Sequence, residues 1–265
     1  MLLRKLFFST LFAFAFLAPA FAFAQSDEED RKTATDTWAL HLGTAVVSKP
    51  EFIGSDNDEI RIFPFIQAMY KFDDRNEVYF RGIQGGYNHH FSDSLKLGVE
   101  LTARDDRSPS QDARLNGMAN IDHAIEVGPW AQYAYKDFKV RGTFRFDVSG
   151  EHEGYVFELQ AKQKIRIRPG VFVNGYVETE WADNNFMDHY FSVSAAQAIA
   201  GRPAFNAGAG FYQSAVGMNF TYGVRRNVFL RVDGRMNVLH GDAKDSGVSF
   251  ESTNFLGFVG IGYTF

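Results

Sequence analysis

Between Lys139 and Ser149 the chain alternates residue by residue. Val140, Gly142, Phe144, Phe146 and Val148 fall on one side, and Lys139, Arg141, Thr143, Arg145, Asp147 and Ser149 on the other. In an extended strand successive side chains point to opposite faces, so this is one strand with an apolar and a charged face. The next segment repeats the pattern, with Tyr155, Phe157, Leu159, Ala161, Ile165 and Ile167 set against Glu158, Gln160, Lys162, Lys164, Arg166 and Arg168. From Trp38 onward a period of two dominates over the 3.6 of a helix. Similar segments at 38–47, 60–71, 77–90, 94–105, 115–126, 129–136, 170–182, 211–224, 228–240 and 254–265 bring the total to about twelve. Most are near the roughly 9 to 11 residues that a tilted strand needs to cross the hydrocarbon of a bilayer.

The final segment sharpens the class. Phe255, Gly257, Val259, Ile261, Tyr263 and Phe265 share one face up to the last residue. An exposed apolar terminal strand is a liability in water, whereas the closing strand of a transmembrane barrel turns one face to lipid by necessity. Gly260, Tyr263 and Phe265 also resemble the C-terminal assembly signal of bacterial outer-membrane barrels. The competing reading is a soluble sandwich with an apolar last strand. Connections alternate as well: Asp73–Asn76, Lys136-Asp137, Arg168–Gly170 and Arg225–Asn227 are tight, while 48–59, 183–210 and 241–252 are long. Outer-membrane barrels have short periplasmic turns and long external loops. The pattern therefore predicts an all-β, transmembrane antiparallel β-barrel of about 12 strands with both termini periplasmic, and 10 strands as the alternative register. Two connections run against it: Asp106–Arg114 is long where a turn is expected, and Phe91-Ser92-Asp93 is tight where a loop is expected.

The N-terminal segment supplies an address. Arg4 and Lys5 precede an apolar stretch from Leu6 to Leu17, a Pro at 19 and the small-x-small site Ala22-Phe23-Ala24, which reads as a secretory signal peptide over 1–24 cleaved between Ala24 and Gln25. The alternative is a permanent anchor, for which the interrupted stretch is short. Residues 25–37, charged and polar, read as a flexible periplasmic lead, and 38–265 as the barrel. Two of the 27 basic residues lie in the signal segment, leaving 25 against 32 acidic side chains and a net charge of −7. That acidity argues against nucleic acid as a partner. Zero Cys excludes a disulfide framework. Aromatics reach 16% while mean hydropathy is only −0.23, as alternation in a lipid-facing barrel produces, since only every second residue meets lipid.

With the apolar faces on lipid, the polar faces would line the interior. Their charges are mixed: Lys96, Glu100, Arg104, Arg141, Arg145, Asp147, Glu158, Lys162, Arg166, Glu178, Glu180, Arg231, Asp233 and Arg235. A selective pore would favour one sign; interleaved signs can pair across strands into a plug. Catalytic signals are weak. His189 near Ser192 and Ser194 is the one close Ser–His spacing, but in an extended strand His189 and Ser192 point apart, which disfavours the activation a nucleophile needs. Asp122-His123 and Asp188-His189 diverge for the same reason, and His89-His90 lacks a third spaced metal ligand. No catalytic residue, metal site or cofactor is expected. Asp56–Glu59 reads as a solvated acidic loop that could attract Ca²⁺ or lipopolysaccharide-bridging cations.

Pro50-Glu51-Phe52-Ile53-Gly54-Ser55-Asp56, Leu115-Asn116-Gly117-Met118, Asp188–Ser194 (DHYFSVS), Leu239–Ser246 (LHGDAKDS) and the Gly-Ile-Gly-Tyr-Thr-Phe ending resemble, in order, the landmarks of the MipA/OmpV family of MltA-interacting outer-membrane proteins. The likeness covers nearly all of the chain after the signal segment. That family often has Gly where Ser192 stands and Pro where Gly247 follows Ser246, departures in or beside the outer loops. The resemblance implies a non-enzymatic barrel acting as a scaffold between a murein transglycosylase and a peptidoglycan synthase, with a porin-like channel for small solutes or drugs, or a surface adhesin, as alternatives. A barrel hydrolase is the remote one. It also implies contact with outer-membrane lipid and lipopolysaccharide. Pro50, Glu51, Gly54, Ser55, Asp56, Asp242 and Ser246 are the candidate outer-loop interaction residues.

Overall fold

The computed structural model describes residues 37–265. The signal segment, its Ala24/Gln25 cleavage site and all but the last residue of the lead lie outside the described residues. Twelve strands form the wall: β1 (Trp38–Pro50), β2 (Asp58–Lys71), β3 (Asn76–Arg81), β4 (Gln84–His90), β5 (Leu95–Arg104), β6 (Ala124–Tyr135), β7 (Phe138–Asp147), β8 (Tyr155–Arg168), β9 (Val171–Ala182), β10 (Gly210–Arg225), β11 (Val228–Leu239) and β12 (Thr253–Thr264). Two short helices, α1 (Asn184–Phe191) and α2 (Gly241–Asp245), sit in the connections. Each strand pairs with the next, and β1 closes on β12. The closing ladder is antiparallel from His41 opposite Thr264 to Ser48 opposite Gly257, so the C-terminal strand pairs with the segment beginning at Trp38 as the sequence predicts. No helix among the described residues is long and apolar enough to cross a membrane.

The strand count of twelve holds, but two segments are redrawn. The predicted strand 77–90 is a hairpin, β3 and β4, turning at Gly82-Ile83, where Gly82 has a φ of +63°. Only a residue without a Cβ takes that conformation readily. The predicted pair 115–126 and 129–136 is one strand, β6, with Gly128 and Pro129 in its middle. Pro129 reads as a breaker in sequence but stays in the sheet, because β6 bonds β5 through it while the ladder to β7 skips Gly128 and Pro129. One split and one merger preserve the count and resolve both anomalies. Phe91–Ser94 becomes a tight turn at the end that holds the chain termini, and 105–123 becomes a long connection at the opposite end.

The short hairpin lowers the wall on one side. β2 bonds β3 only through Gln67–Lys71, so Asp58–Ile66 has β1 as its one ladder partner. Phe72 N–H donates to Asn76, and Ile66 C=O accepts from Gly82, which by the alternation of a strand puts the backbone of residues 60, 62, 64 and 66 on the β3 side. Pro64 sits on that open edge and has no N–H to leave unsatisfied in an apolar surrounding.

Outward positions form an apolar belt. On β12, Phe255, Val259, Ile261 and Tyr263 are exposed, as is Phe265 just after it, while Phe258, Gly260 and Thr264 face in. The inner face departs from the expectation of a purely polar lining: Phe63, Phe65, Phe229 and Phe258 form a buried cluster with Ala45 and Val47 inside the β11–β12–β1–β2 sector. Inward glycines make room for these rings. A Cβ at Gly262 would stand 2.5 Å from Phe229 Cζ and 2.8 Å from Phe65 Cζ, and one at Gly260 would stand 2.8 Å from Phe258 Cζ.

Candidate functional site

Across the lumen from those rings, β5 to β11 bring carboxylates and guanidiniums together. Glu100, 1% exposed, accepts from Arg141, from Arg145 at 3.1 Å and from Gln84 at 3.0 Å. Arg145 also donates to Glu158 at 2.8 Å and lies 3.4 Å from Glu126. Arg104 grips Glu126 with two bonds of 2.7 and 3.0 Å, and Arg235 donates to Glu178 at 2.5 Å. Arg141 stacks over Trp130, 4.2 Å from its ring centre, so its other face is also covered. Oxygens of Glu158, Glu178 and Glu180 lie within 4.8 Å of one another, the arrangement of a cation site. Arg145 donates to Glu158, Arg235 to Glu178 and the Tyr212 hydroxyl to Glu180, so each carboxylate of this group has a hydrogen-bond donor within the protein. A cavity of about 170 Å³ runs among these groups towards Lys49 and Gln84.

Mixed lumen charge is thus legible in the alternation, with one change of role. Asp147 spends its carboxylate on the backbone N–H groups of Ser149, His152 and Glu153 and so shapes the β7–β8 connection. Sequence reasoning missed Glu126, His152 and Tyr212. Glu126 was hidden by the misplaced strand boundary. His152 and Tyr212 carry no local signal, since their partners are Glu126 at 3.1 Å and Glu180, 26 and 32 residues away.

The four long connections, 51–57, 105–123, 183–209 and 240–252, fuse into a cap over one mouth of the barrel. One buried cluster joins Phe186, Met187, Tyr190 and Phe191 of α1 to Ala243 of α2, Ile121 and the wall residues Val156, Tyr212 and Leu239. A second joins Phe52, Leu115, Met118, Val193 and Val248. Helix α1 starts at Asp183, whose carboxylate accepts from the Phe186 N–H, satisfying a donor that a helix start leaves open. The cap touches the charge network directly: Phe186 lies 4.8 Å from the Arg104 guanidinium, and His152 packs edge-on against Phe186.

The candidate loop residues build this cap. Gly54, with a φ of +87°, accepts through its carbonyl from Phe250 and Glu251. Ser55 is fully buried, and its carbonyl accepts from Asn254. Ser246 donates to the Phe191 carbonyl and Asp242 accepts from the Gly208 N–H. Glu51 accepts from Gln111 through its carbonyl, and Pro50 lines the cavity. Asp56 is exposed and pairs with Arg114, which also holds Asp112 and stacks 3.7 Å from the Phe250 ring centre. The Arg114 hydrogen bonds hold both Asp56 and Asp112 below the ordinary aspartate range.

His189 and Ser192 lie on and just after a helix, not on the extended strand assumed from sequence. The structure gives each its own partner: His189 pairs with Glu151 at 3.2 Å, and the Ser192 hydroxyl accepts from Ala207. Burial, countered in part by Glu151, lowers the His189 pKa. A Ser–His contact forms elsewhere, between Ser214 and His240 at 2.7 Å.

The ordered landmarks point to one family, and the family model described as MltA-interacting protein MipA matches residues 42–265. The chain belongs to that family. The matched span runs from β1 to the last residue and includes every cap connection. No curated protein sequence matches the chain. Among solved structures it is similar to the KdgM porin, at 10% identity and a TM-score of 0.41, covering 85% of this chain and 99% of that one. It is similar also to the translocator domain of the autotransporter NalP from Neisseria meningitidis, at 12% identity and a TM-score of 0.49, covering 98% and 95%. The NanC porin matches at 12% identity and a TM-score of 0.44, covering 84% and 98%.

Proposed function

We propose that this protein is an outer-membrane scaffold with a sealed lumen, its apolar belt in contact with lipid and lipopolysaccharide and its turn end in the periplasm. The observation that carries this reading is the charge-paired lumen beneath a cap with its own apolar packing. A barrel filled and covered in this way offers surfaces before it offers a path. The family's description as MltA-interacting supports a partner of the murein transglycosylase class, which the scaffold would hold at its turn end and link to a peptidoglycan synthase. The turns at 72–75, 91–94, 136–137, 169–170 and 226–227 present little surface. The Asp106–Arg114 connection, long where the sequence predicts a periplasmic turn, belongs to the cap at the opposite end, so the lead at 25–37 carries the contact. Deleting 25–36 is expected to reduce capture of a purified murein transglycosylase by the refolded barrel at least tenfold; unchanged capture would remove the lead as the binding element.

The cavity of about 170 Å³ favours a second reading, a narrow porin-like path for small solutes. Recording from planar bilayers separates the two. The scaffold reading expects no reproducible unitary steps, and steps that survive removal of detergent contaminants would replace it with the channel.

A further inference from the structure

The cap contains a charge that no carboxylate among the described residues balances. Arg107, in the connection between β5 and β6, is 5% exposed. Its Nη1 donates to the Tyr190 carbonyl at 2.5 Å, its Nε has no partner, and no carboxylate among the described residues pairs with it. Arg202 lies near enough to repel it. Arg202 is itself 2% exposed, and among the described residues its guanidinium donates only to the carbonyls of Arg114, Asn116 and Gln197. None of the surrounding carboxylates forms an ion pair with it: Glu151 is engaged with His189, Asp106 with His123 at 3.7 Å, and Asp188 is exposed on the wall of the cleft that Arg107 lines. Burial, with the nearby charge of Arg202, pulls Arg107 down to about 10. An ion taken out of water without a counterion is as unfavourable as one left behind when a buried ion pair is broken.

Arg107 also lines a cleft of about 550 Å³ between the connections 105–123 and 183–209. Asn120, Gln197, Asn206 and Ser194 line the same cleft, with His189 and the exposed carboxylate of Asp188, so amide and hydroxyl groups flank the cation and the one acidic wall residue is open to water. A guanidinium reads a phosphate in a planar, paired geometry, and the flanking groups suit hydroxyls. The volume exceeds what a bare ion fills, since one water takes about 30 Å³ of liquid.

We propose that this cleft binds a sugar phosphate, with the phosphate on Arg107 and the sugar hydroxyls on the amide and hydroxyl wall. The ligand supplies the counterion that the fold omits. Its source is either a free phosphorylated sugar or the phosphorylated saccharide of lipopolysaccharide, which share this chemistry.

The test uses the refolded barrel in detergent, titrated calorimetrically with inorganic phosphate, with glucose 6-phosphate, and with vesicles with or without lipopolysaccharide. Saturable binding is expected to glucose 6-phosphate, to the lipopolysaccharide vesicles, or to both, and the arm that binds names the source. Arg107→Gln keeps a donor for the Tyr190 carbonyl and should weaken binding at least tenfold, whereas Arg114→Gln, outside the cleft, should leave it unchanged. Should Arg107→Gln misfold, Ala204→Asp, at an exposed position on the cleft wall, places a carboxylate there and should weaken binding likewise. Binding should raise the Tm of the unsubstituted protein and leave that of Arg107→Gln unmoved. Absence of binding to both glucose 6-phosphate and the lipopolysaccharide vesicles, or binding by the Arg107 and Ala204 variants as tight as that of the unsubstituted protein, overturns the proposal.

Discussion

Inside the barrel, the sector around the β12–β1 seam is packed with rings, and the sector from β5 to β11 is packed with charges. Phe65 lies edge-on to both Phe229 and Phe258 at centroid distances of 5.9 and 6.2 Å, over inward glycines that let the rings approach the wall. Opposite them Arg145 reaches Glu100, Glu126 and Glu158 at once. The two fillings respond differently to damage. Apolar packing loses energy in proportion to the atoms removed or the overlap forced. A buried charge network is neutral or favourable only while complete, and each missing partner strands an ion.

Arg145→Met should therefore have the largest effect, about 3 to 5 kcal/mol lost, read by urea unfolding of the barrel in lipid vesicles. A loss below about 1 kcal/mol would show that the network is solvated and that the contrast between sectors fails. Gly262→Leu should cost about 1 to 3 kcal/mol by overpacking the rings, read as a lower temperature for the gel shift from folded to unfolded barrel. If it is tolerated, the seam is looser than its contacts imply. In the cap, where charges meet water, the effect is smaller and depends on pH. Arg114 depresses Asp56 and Asp112 below the ordinary value of 3.8, so their contribution is fully present above 3.8 and is lost as pH falls through the depressed values. Hydrogen exchange at 51–57 and 105–116 should stay slow as pH falls through 3.8 and quicken below it, and Arg114→Gln should move that onset upward towards the ordinary aspartate range.

The same contrast explains what could be read in advance. Inward placement of Glu100, Arg141, Arg145, Glu158, Glu178 and Glu180 follows from alternation alone, because a strand's period of two leaves no choice once one face is apolar. The rings escaped notice because Phe63, Phe65, Phe229 and Phe258 are apolar residues at inward positions, and hydropathy cannot tell a lipid-facing Phe from a lumen-facing one. Gly82 and Pro129 act in opposite directions: a single Gly marks a turn inside a continuous alternation, and a Pro stays within a strand because one of its two ladders skips it. The Arg107 cleft was invisible because its walls lie some 80 residues apart in sequence, Arg107 against His189 and Ser194.

The sequence by itself determined the architecture: alternation requires a sheet with one apolar face, and a sheet with lipid on one side must close on itself to satisfy its edges. The tertiary structure alone decided what fills and covers that barrel. Arg145 finding Glu100, α1 finding Tyr212, and Arg107 finding no carboxylate depend on which strands close beside which and how four connections pack together. Period and composition are local properties of the chain; these contacts join residues that only closure brings within reach.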